Sequence, residues 1–247
     1  MNTLAESAVT ALRLILSLDP VLLDIVRLSL AVSACACLLA CAAGLLLGAW
    51  LGVARFPGRG AVLTLLNTLL ALPSVVVGLL VYLLLSRSGP LGFLGWMFSF
   101  QAMVVAQSIL VLPVVMALTR QVVEDADRSH GEQLRSLGAG TFMRGLLLTW
   151  DERFALLTIL IAAFGRAVSE VGAVMVVGGN IEGYTRVMTT AIALETSKGD
   201  LPLAVALGMV LLAVVLLLNT LISLVRRWRE RRDAGLSAWL RMPDPAA

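Results

Sequence analysis

Long apolar stretches separated by short polar segments dominate the pattern along this chain. Four of the stretches contain no ionisable side chain other than thiol or phenol, and a fifth, 154–181, is apolar apart from Arg166, Ser169, Glu170 and Asn180. Each is longer than the roughly 20 residues that a helix needs to cross about 30 Å of hydrocarbon. The pattern predicts an all-α integral membrane protein with five transmembrane helices, at about residues 28–53, 61–86, 98–119, 154–178 and 201–225.

The composition agrees with a membrane protein and excludes several other classes. The chain is 59% hydrophobic and 14% charged, with a mean hydropathy of +0.94, well outside the soluble range. It has no Gly-x-x-x-x-Gly-Lys-Ser/Thr phosphate loop, and its one lysine, Lys198, follows a serine, so it is not expected to be an enzyme that hydrolyses nucleotides. The chain has one histidine, His130, and three cysteines, which all lie in the first span. These residues do not complete a metal-ligand set, so neither a metal nor a cofactor is expected in this chain.

Basic residues are distributed unevenly between the two sides of the predicted helices. Thirteen arginines lie in the loop after the first span, in the polar insert 120–153 and in the tail, against five basic residues on the other side. Because basic residues near span ends are retained on the cytoplasmic side, we predict a cytoplasmic insert and C-terminus and an outside N-terminus. Residues 229–247 are predicted to form a basic cytoplasmic tail, and the net charge of +3 does not indicate a nucleic-acid partner.

Residues 1–26 differ from the predicted spans. Apolar side chains recur there at helical spacing, while Glu6 and Arg13 interrupt the apolar character. This pattern predicts an amphipathic helix that lies at the membrane interface, with a sixth, weak span as the alternative. No basic leading segment and no cleavage-like stretch is present, so no signal peptide is predicted.

Two features of the first three spans concern packing. Small residues recur at every fourth position of the first span, at Ala36, Ala40, Gly44, Gly48 and Gly52. Such a ridge lets another helix approach closely, so we predict a tight seam, either within the subunit or between two copies. Pro73 and Pro113 each remove a backbone donor, so they are predicted to bend the second and third spans.

The polar insert 120–153 contains a second pattern. Residues 122–137 are predicted to form a helix that Gly138 ends in the left-handed conformation, and Thr141 is predicted to cap a second short helix. The two helices would expose the apolar side chains of Leu134, Leu137, Phe142 and Met143. This arrangement predicts either a surface that docks in a groove of another protein or an amphipathic connector on the membrane.

The fourth span contains the intramembrane charges. Arg166 and Glu170 are four residues apart on one helical face, so they are predicted to pair and partly neutralise each other. The pair could face a translocation path or gate, or it could fix the span against its neighbours. Ser169 and Glu170 are adjacent and therefore lie on different faces, which argues against a catalytic dyad of an intramembrane enzyme.

The segment 178–200 is rich in glycine and hydroxyl groups and follows the fourth span, so it is predicted to lie at the outer mouth. Its side-chain donors and the positive charge of Arg186 suit a tetrahedral dianion. The alternative is a solvated loop that contacts a substrate-carrying protein. The candidate donors are Asn180, Thr185, Thr189 and Thr190.

Glu132, Gly138, Ala139 and Leu148 resemble the cytoplasmic "EAA" loop of ABC-importer permeases. The chain departs from that pattern at Gln133 and Leu134, where alanines are usual, and at Asp151, where proline is usual. The runs Gly-Arg-Ala at 165–167, Ser-Glu-Val-Gly-Ala at 169–173 and Gly-Gly-Asn-Ile at 178–181 are similar to the molybdate and tungstate permeases. The continuation 185–200 is nearest to the tungstate branch, and the resemblance covers about residues 8–228.

This resemblance implies the fold, the function and the partners. It implies a permease domain at 27–228 in a bacterial inner membrane, which imports an oxyanion, tungstate or alternatively molybdate, by alternating access. The partners would be a second copy, membrane lipid, a periplasmic or extracellular oxyanion-binding protein and a separate ATPase that carries ATP and magnesium. A structural subunit of a respiratory complex is the alternative from another class.

The resemblance also implies roles for two sets of residues. The ATPase would contact the coupling loop, at Glu132, Gln133, Leu134, Leu137, Gly138, Ala139 and Phe142. Candidates for the translocation path or gate are Arg166, Ser169, Glu170, Gly172, Asn180, Thr185, Arg186, Thr189 and Thr190.

Overall fold

A computed structural model describes residues 4–239, with the side chains of residues 9–228. The described part of the chain is helical and contains no β-strand; a 3-10 turn, Gly92–Leu94, precedes the fifth helix. The helices are α1 (Leu4–Leu16), α2 (Pro20–Val53), α3 (Arg59–Leu70), α4 (Ser74–Leu85), α5 (Phe100–Ser136), α6 (Thr141–Asp151), α7 (Arg153–Val168), α8 (Gly172–Gly178), α9 (Met188–Lys198) and α10 (Leu201–Trp239).

Five membrane spans can be built from these helices. Among the described residues, α2, α5 and α10 are each long and apolar enough to cross a bilayer alone. The other two spans are bent pairs, α3 with α4 at 99° and α7 with α8 at 55°. Counting each pair as one span gives the predicted five, and the all-α membrane fold is confirmed.

Helices α2, α5 and α10 are each longer than the span predicted there. Helix α2 has 34 residues and begins at Pro20, and α5 has 37 residues and joins the third span to the first helix of the polar insert. At 1.5 Å per residue, α5 is about 55 Å long, well beyond about 30 Å of hydrocarbon. The insert is therefore connected rigidly to the membrane bundle.

The two prolines behave differently. The break between α3 and α4 lies at Pro73, which precedes α4 and whose carbonyl accepts from the amides of Val76 and Val77. Helix α5 instead continues through Pro113, which is buried in the bundle. The bend predicted at Pro73 is confirmed, and α5 passes Pro113 without an interruption of the helix.

The N-terminal prediction of one helix over residues 1–26 is wrong in its boundaries. Helix α1 ends at Leu16, and Asp19 starts α2 by accepting a hydrogen bond from the amide of Leu22 at 3.0 Å. Ala11 is fully buried in a cluster with Ala206 and Leu207 of α10, so α1 packs against the last helix. Residues 1–3 lie outside the described residues.

The ridge of small residues packs within the subunit. A Cβ built on Gly44 would lie 2.9 Å from the side chain of Val115, and one on Gly48 would lie 2.6 Å from the carbonyl oxygen of Met116. At Gly52 the nearest atom is Val123 Cβ, at 2.9 Å. The predicted seam therefore joins α2 to α5, and the glycines allow these two long helices to touch along their length.

The largest buried cluster lies between α2, α4, α5 and α8, around Val32, Val81, Met103, Val174 and Val177. This cluster fixes the short helix α8 at the end of the bent α7–α8 pair. Helix α10 extends into the predicted tail, through residues 229–239, whereas residues 240–247 lie outside the described residues. In the apolar part of α10 only 17% of the residues are buried, against 61% in α5.

Candidate functional site

The elbow, residues 134–143, is where α5 ends and α6 begins. Gly138 has φ of 81°, in the left-handed region, and its amide donates to the carbonyl of Arg135 at 2.9 Å. The amide of Ala139 donates to the carbonyl of Leu134 at 3.0 Å, which closes the end of α5. The helix–glycine–helix prediction is confirmed, but Gly140 precedes α6 without a side-chain cap and Thr141 is the first helical residue, so the predicted Thr141 cap is wrong.

The elbow presents an exposed apolar surface. Leu137 is 82% exposed and Phe142 is 76% exposed, and Met143 is also exposed. Glu132 and Gln133 are exposed beside this surface, and Ala139 is half-buried. An apolar surface of this kind can be covered by a groove of another protein.

Leu134 does not belong to that exposed surface. It packs against a buried cluster of Ala49, Val53, Val123, Ala126 and Leu148, so it stabilises the elbow from inside. Trp150, which is 72% exposed on α6, was not predicted from the sequence to belong to this surface. Its spacing of four residues from Leu146, itself four from Phe142, was the available signal.

A buried ion pair holds α6 against α5, and the sequence analysis missed it. Arg144 donates from Nε to Asp127 Oδ1 at 3.2 Å and from Nη2 to Oδ2 at 3.3 Å. The side chains of Asp127 and Arg144 are only 3% and 8% exposed. A Cβ at Gly131 would lie 2.5 Å from Asp127 Oδ1, so this glycine leaves room for the carboxylate.

A second ion-pair cluster joins the first loop to α5. Glu124 Oε2 accepts from Arg59 at 2.9 Å and from Arg120 at 2.6 Å, and Oε1 accepts from Arg128 at 3.1 Å. Burial acts to raise the pKa of Glu124, but the hydrogen bond and charge of Arg59, with Arg120 and Arg128, outweigh it and the pKa is lowered. Arg59 also donates to the carbonyl of Leu51, so the turn between α2 and α3 is held against the part of α5 that precedes the elbow.

The predicted ion pair between Arg166 and Glu170 is wrong. Helix α7 ends at Val168, so the two residues no longer share one helical face. Glu170 Oε1 instead accepts the amides of Val171 at 3.0 Å and Gly172 at 2.9 Å, at the start of α8. The carboxylate therefore satisfies backbone donors that the break in the span exposes.

Arg166 lines an open cavity, the polar groove, between α7 and α10. Its volume is about 430 Å³, and its polar lining residues are Arg166, Ser169, Glu170 and Asn219. Asn219 was not predicted from the sequence, although a lone amide in an otherwise apolar span was the available signal. Gly172 does not line this groove; a Cβ there would lie 2.6 Å from Ser74 Oγ, so it permits close packing of α8 on α4.

The hydroxyl groups predicted at the outer mouth are engaged within the loop. Thr185 Oγ1 donates to the carbonyl of Gly178 at 2.5 Å, and Thr189 Oγ1 donates to that of Glu170 at 2.7 Å. Thr190 Oγ1 donates to the carbonyl of Val187, and Asn180 Nδ2 donates to the carbonyl of Thr190 at 3.3 Å. These hydrogen bonds fix the conformation of the segment 178–190.

Arg186 is also engaged, through its Nη1 atom. This atom lies 3.4 Å from Glu182 Oε2 and 3.7 Å from Glu195 Oε1, and the buried Glu195 carboxylate also accepts from Lys198 at 3.0 Å. Arg186 Nε is buried without a partner. The positive charge of Arg186, which was expected to attract an anion at the outer mouth, is therefore largely balanced by the carboxylates of Glu182 and Glu195.

Comparisons with known proteins agree with this architecture. The sequence profile described as "Binding-protein-dependent transport system inner membrane component" matches residues 44–233. "Tungstate uptake system permease protein TupB" of Peptoclostridium acidaminophilum is 40% identical over 222 residues, which cover 90% of this chain and 97% of that protein. "Probable anion ABC transporter permease protein" of Haloferax volcanii is 40% identical over 215 residues, 85% of this chain and 91% of that protein.

A molybdenum-named relative is more distant. "Molybdenum transport system permease protein ModB" of Escherichia coli K12 is 32% identical over 189 residues, 71% of this chain and 81% of that protein. The resemblance to the tungstate and molybdate permeases, with the tungstate branch nearer, is confirmed. The chain belongs to the family of inner membrane components of binding-protein-dependent transport systems.

Proposed function

We propose that this chain is the permease subunit of an ABC importer that carries tungstate into the cytoplasm. The observation that carries the proposal is the 40% identity to a tungstate uptake permease along 90% of the chain, against 32% for the molybdenum-named relative. The apolar helices place the chain in the membrane as a multi-pass protein. Energy for uptake comes from a separate ATPase, which holds ATP and magnesium.

The elbow is the proposed docking site for that ATPase. It combines an exposed apolar surface, at Leu137, Phe142 and Met143, with a rigid connection to the membrane bundle through α5. The buried pair of Asp127 and Arg144 resists a change in the angle between α5 and α6. Because of this rigidity, a movement of the ATPase would be transmitted to α5 and, through the glycine seam, to α2.

A second copy of the chain completes the proposed pathway. The apolar part of α10 is largely unburied, and the polar groove opens beside it, so this side of the bundle suits contact with lipid and with another subunit. With the N-terminus outside, segment 178–200 faces the binding protein that delivers the oxyanion, and the elbow faces the cytoplasm. ATP binding would open the path outward, and hydrolysis would open it inward.

Uptake of competing anions by cells tests the substrate. A strain without this chain is complemented with it, and tungsten and molybdenum uptake are measured by mass spectrometry with sulfate in excess. The proposal predicts tungsten accumulation that excess sulfate leaves unchanged and that molybdate inhibits only at higher concentration. Faster accumulation of molybdenum would replace tungstate with molybdate, and strong inhibition by sulfate would overturn the substrate class.

A further inference from the structure

Arg166 is a charged residue inside a membrane span without a partner in the described part of the chain. It lies in the last turn of α7, about 20 Å along that helix from Arg153 at the other end. Its side chain is exposed to the polar groove and makes no hydrogen bond or ion pair with another described residue. Arg59, Arg120, Arg144 and Arg186, in contrast, each have a carboxylate partner within the chain.

The neighbouring polar groups are already engaged. Glu170 Oε1 accepts backbone amides at the start of α8, and Ser169 Oγ donates to the carbonyl of Gly165 at 2.9 Å. Asn219 Nδ2 donates to the carbonyl of Val215 at 2.9 Å. Arg166 is thus left as the main free donor in the groove, with five N–H groups available.

A charged side chain within a bilayer is costly, and such residues face water-filled cavities or the bundle interior and pair with another charge. No described residue of this chain supplies the pair, so the Arg166 guanidinium is available to a ligand that enters the groove. The groove is also large enough for a solvated ion, because about 430 Å³ corresponds to about 14 water molecules at about 30 Å³ each.

We propose that the polar groove is a transit site for a tetrahedral oxyanion dianion and that Arg166 binds it during translocation. The proposal rests on the proposed function, since it names the place in the pathway where the imported anion is held. The planar guanidinium donates two parallel hydrogen bonds to two oxygens of the anion. The adjacent Glu170 carboxylate weakens the positive potential, so the anion is held weakly enough to be released.

Thiol labelling tests whether the groove is wet and holds an anion. In a background with Cys35, Cys37 and Cys41 replaced by serine or alanine, Asn219→Cys is treated with an anionic, membrane-impermeant methanethiosulfonate in the assembled transporter. We expect labelling that tungstate slows at least several-fold, and loss of that protection when Arg166→Gln is added. Leu216→Cys, on an exposed apolar face of the same helix, is the matched control and should show no protection.

Uptake of tungstate by arginine variants is the second test of the anion site. Arg166→Gln should reduce tungstate uptake about tenfold or more, because a charge-assisted hydrogen bond is lost, while Arg166→Lys keeps the charge and should lose less. Copurification with the ATPase confirms that each variant is folded and assembled. Arg13→Gln, an exposed arginine on α1, is the control and should take up tungstate as the wild type does.

The outcomes separate this inference from the proposed function. Labelling without protection, or normal uptake by an assembled Arg166→Gln variant, overturns the anion site. Failure of Asn219→Cys to react would also overturn it, because the groove would then face lipid or be closed by an acidic residue of the second copy. If the wild type does not import tungstate, the proposed substrate fails, and protection by molybdate or sulfate still decides whether Arg166 holds an oxyanion.

Discussion

Arg144 on α6 and Asp127 on α5 form a two-point ion pair across the elbow, with N–O distances of 3.2 and 3.3 Å. Both side chains are almost completely buried, and Arg135 Nη2 also lies 3.5 Å from Asp127 Oδ2, so it is removal of Asp127 that leaves a buried charge, Arg144, unpaired. Breaking a buried pair by removing one partner costs about 3–5 kcal/mol, because an uncompensated charge remains. The pair therefore determines the position of α6 relative to the membrane bundle.

This relationship predicts a specific order among variants. Asp127→Asn should lower the thermal stability of the purified chain and its recovery with the ATPase more than the double variant Asp127→Asn with Arg144→Gln does. The reason is that the double variant leaves no buried charge unpaired. A double variant as damaged as the single one would contradict the role of the pair.

Gly131 gives a test of the same pair that leaves its charges unchanged. In Gly131→Ala, the new methyl group would meet Asp127 Oδ1 at 2.5 Å, so the carboxylate must move away from Arg144. We expect a loss of ATPase recovery similar in direction to that of Asp127→Asn. Gly60→Ala is the control, since a Cβ there meets no atom within 4 Å.

Substitutions at Gly138 test the effect of backbone conformation without an effect of steric crowding. A Cβ at this position meets no atom within 4 Å, so only the left-handed φ of 81° opposes substitution. Asparagine tolerates this conformation, whereas a β-branched residue is destabilised by at least about 1–2 kcal/mol. Gly138→Asn should retain uptake and Gly138→Val should lose it, with both still inserted in the membrane. Equal uptake by the two variants would show that the turn geometry is not required.

A substitution within the buried seam between α2 and α5 is expected to lower the stability of the protein. Gly48→Ala would place a methyl group 2.6 Å from the backbone oxygen of Met116, which cannot rotate away. Overpacking of this kind costs about 1–3 kcal/mol, so the melting temperature in detergent should fall clearly. An unchanged melting temperature would mean that α2 and α5 separate easily, and the proposed transmission from the elbow to α2 would lose its basis.

Much of the fold could be predicted from sequence because the bilayer imposes a length on each apolar stretch. The five spans, the turn at Gly138 and the close approach at Gly44, Gly48 and Gly52 all follow from local composition and spacing. The start of α2 could not be located by hydropathy, because Asp24 and Arg27 are charged and the helix nevertheless includes them. Its N-terminal signal was Asp19 followed by Pro20.

The contacts of polar side chains could not be predicted in the same way. Arg166 and Glu170 have the spacing of a helical pair, but the helix breaks between them and the carboxylate bonds to backbone amides instead. Asp127 and Arg144 are 17 residues apart, so their contact depends on the angle of the elbow. Sequence spacing predicts which side chains are in contact only within one continuous helix. Here each functional segment lies where a helix ends.

Uphill transport in proteoliposomes tests whether this chain imports its oxyanion only through force applied by a separate ATPase. Vesicles contain the chain alone or the chain with its ATPase and binding protein, and tungstate accumulation is measured with and without ATP. We expect accumulation above the outside concentration only with the ATPase and ATP together. Accumulation against the gradient by vesicles that contain the chain alone would contradict it.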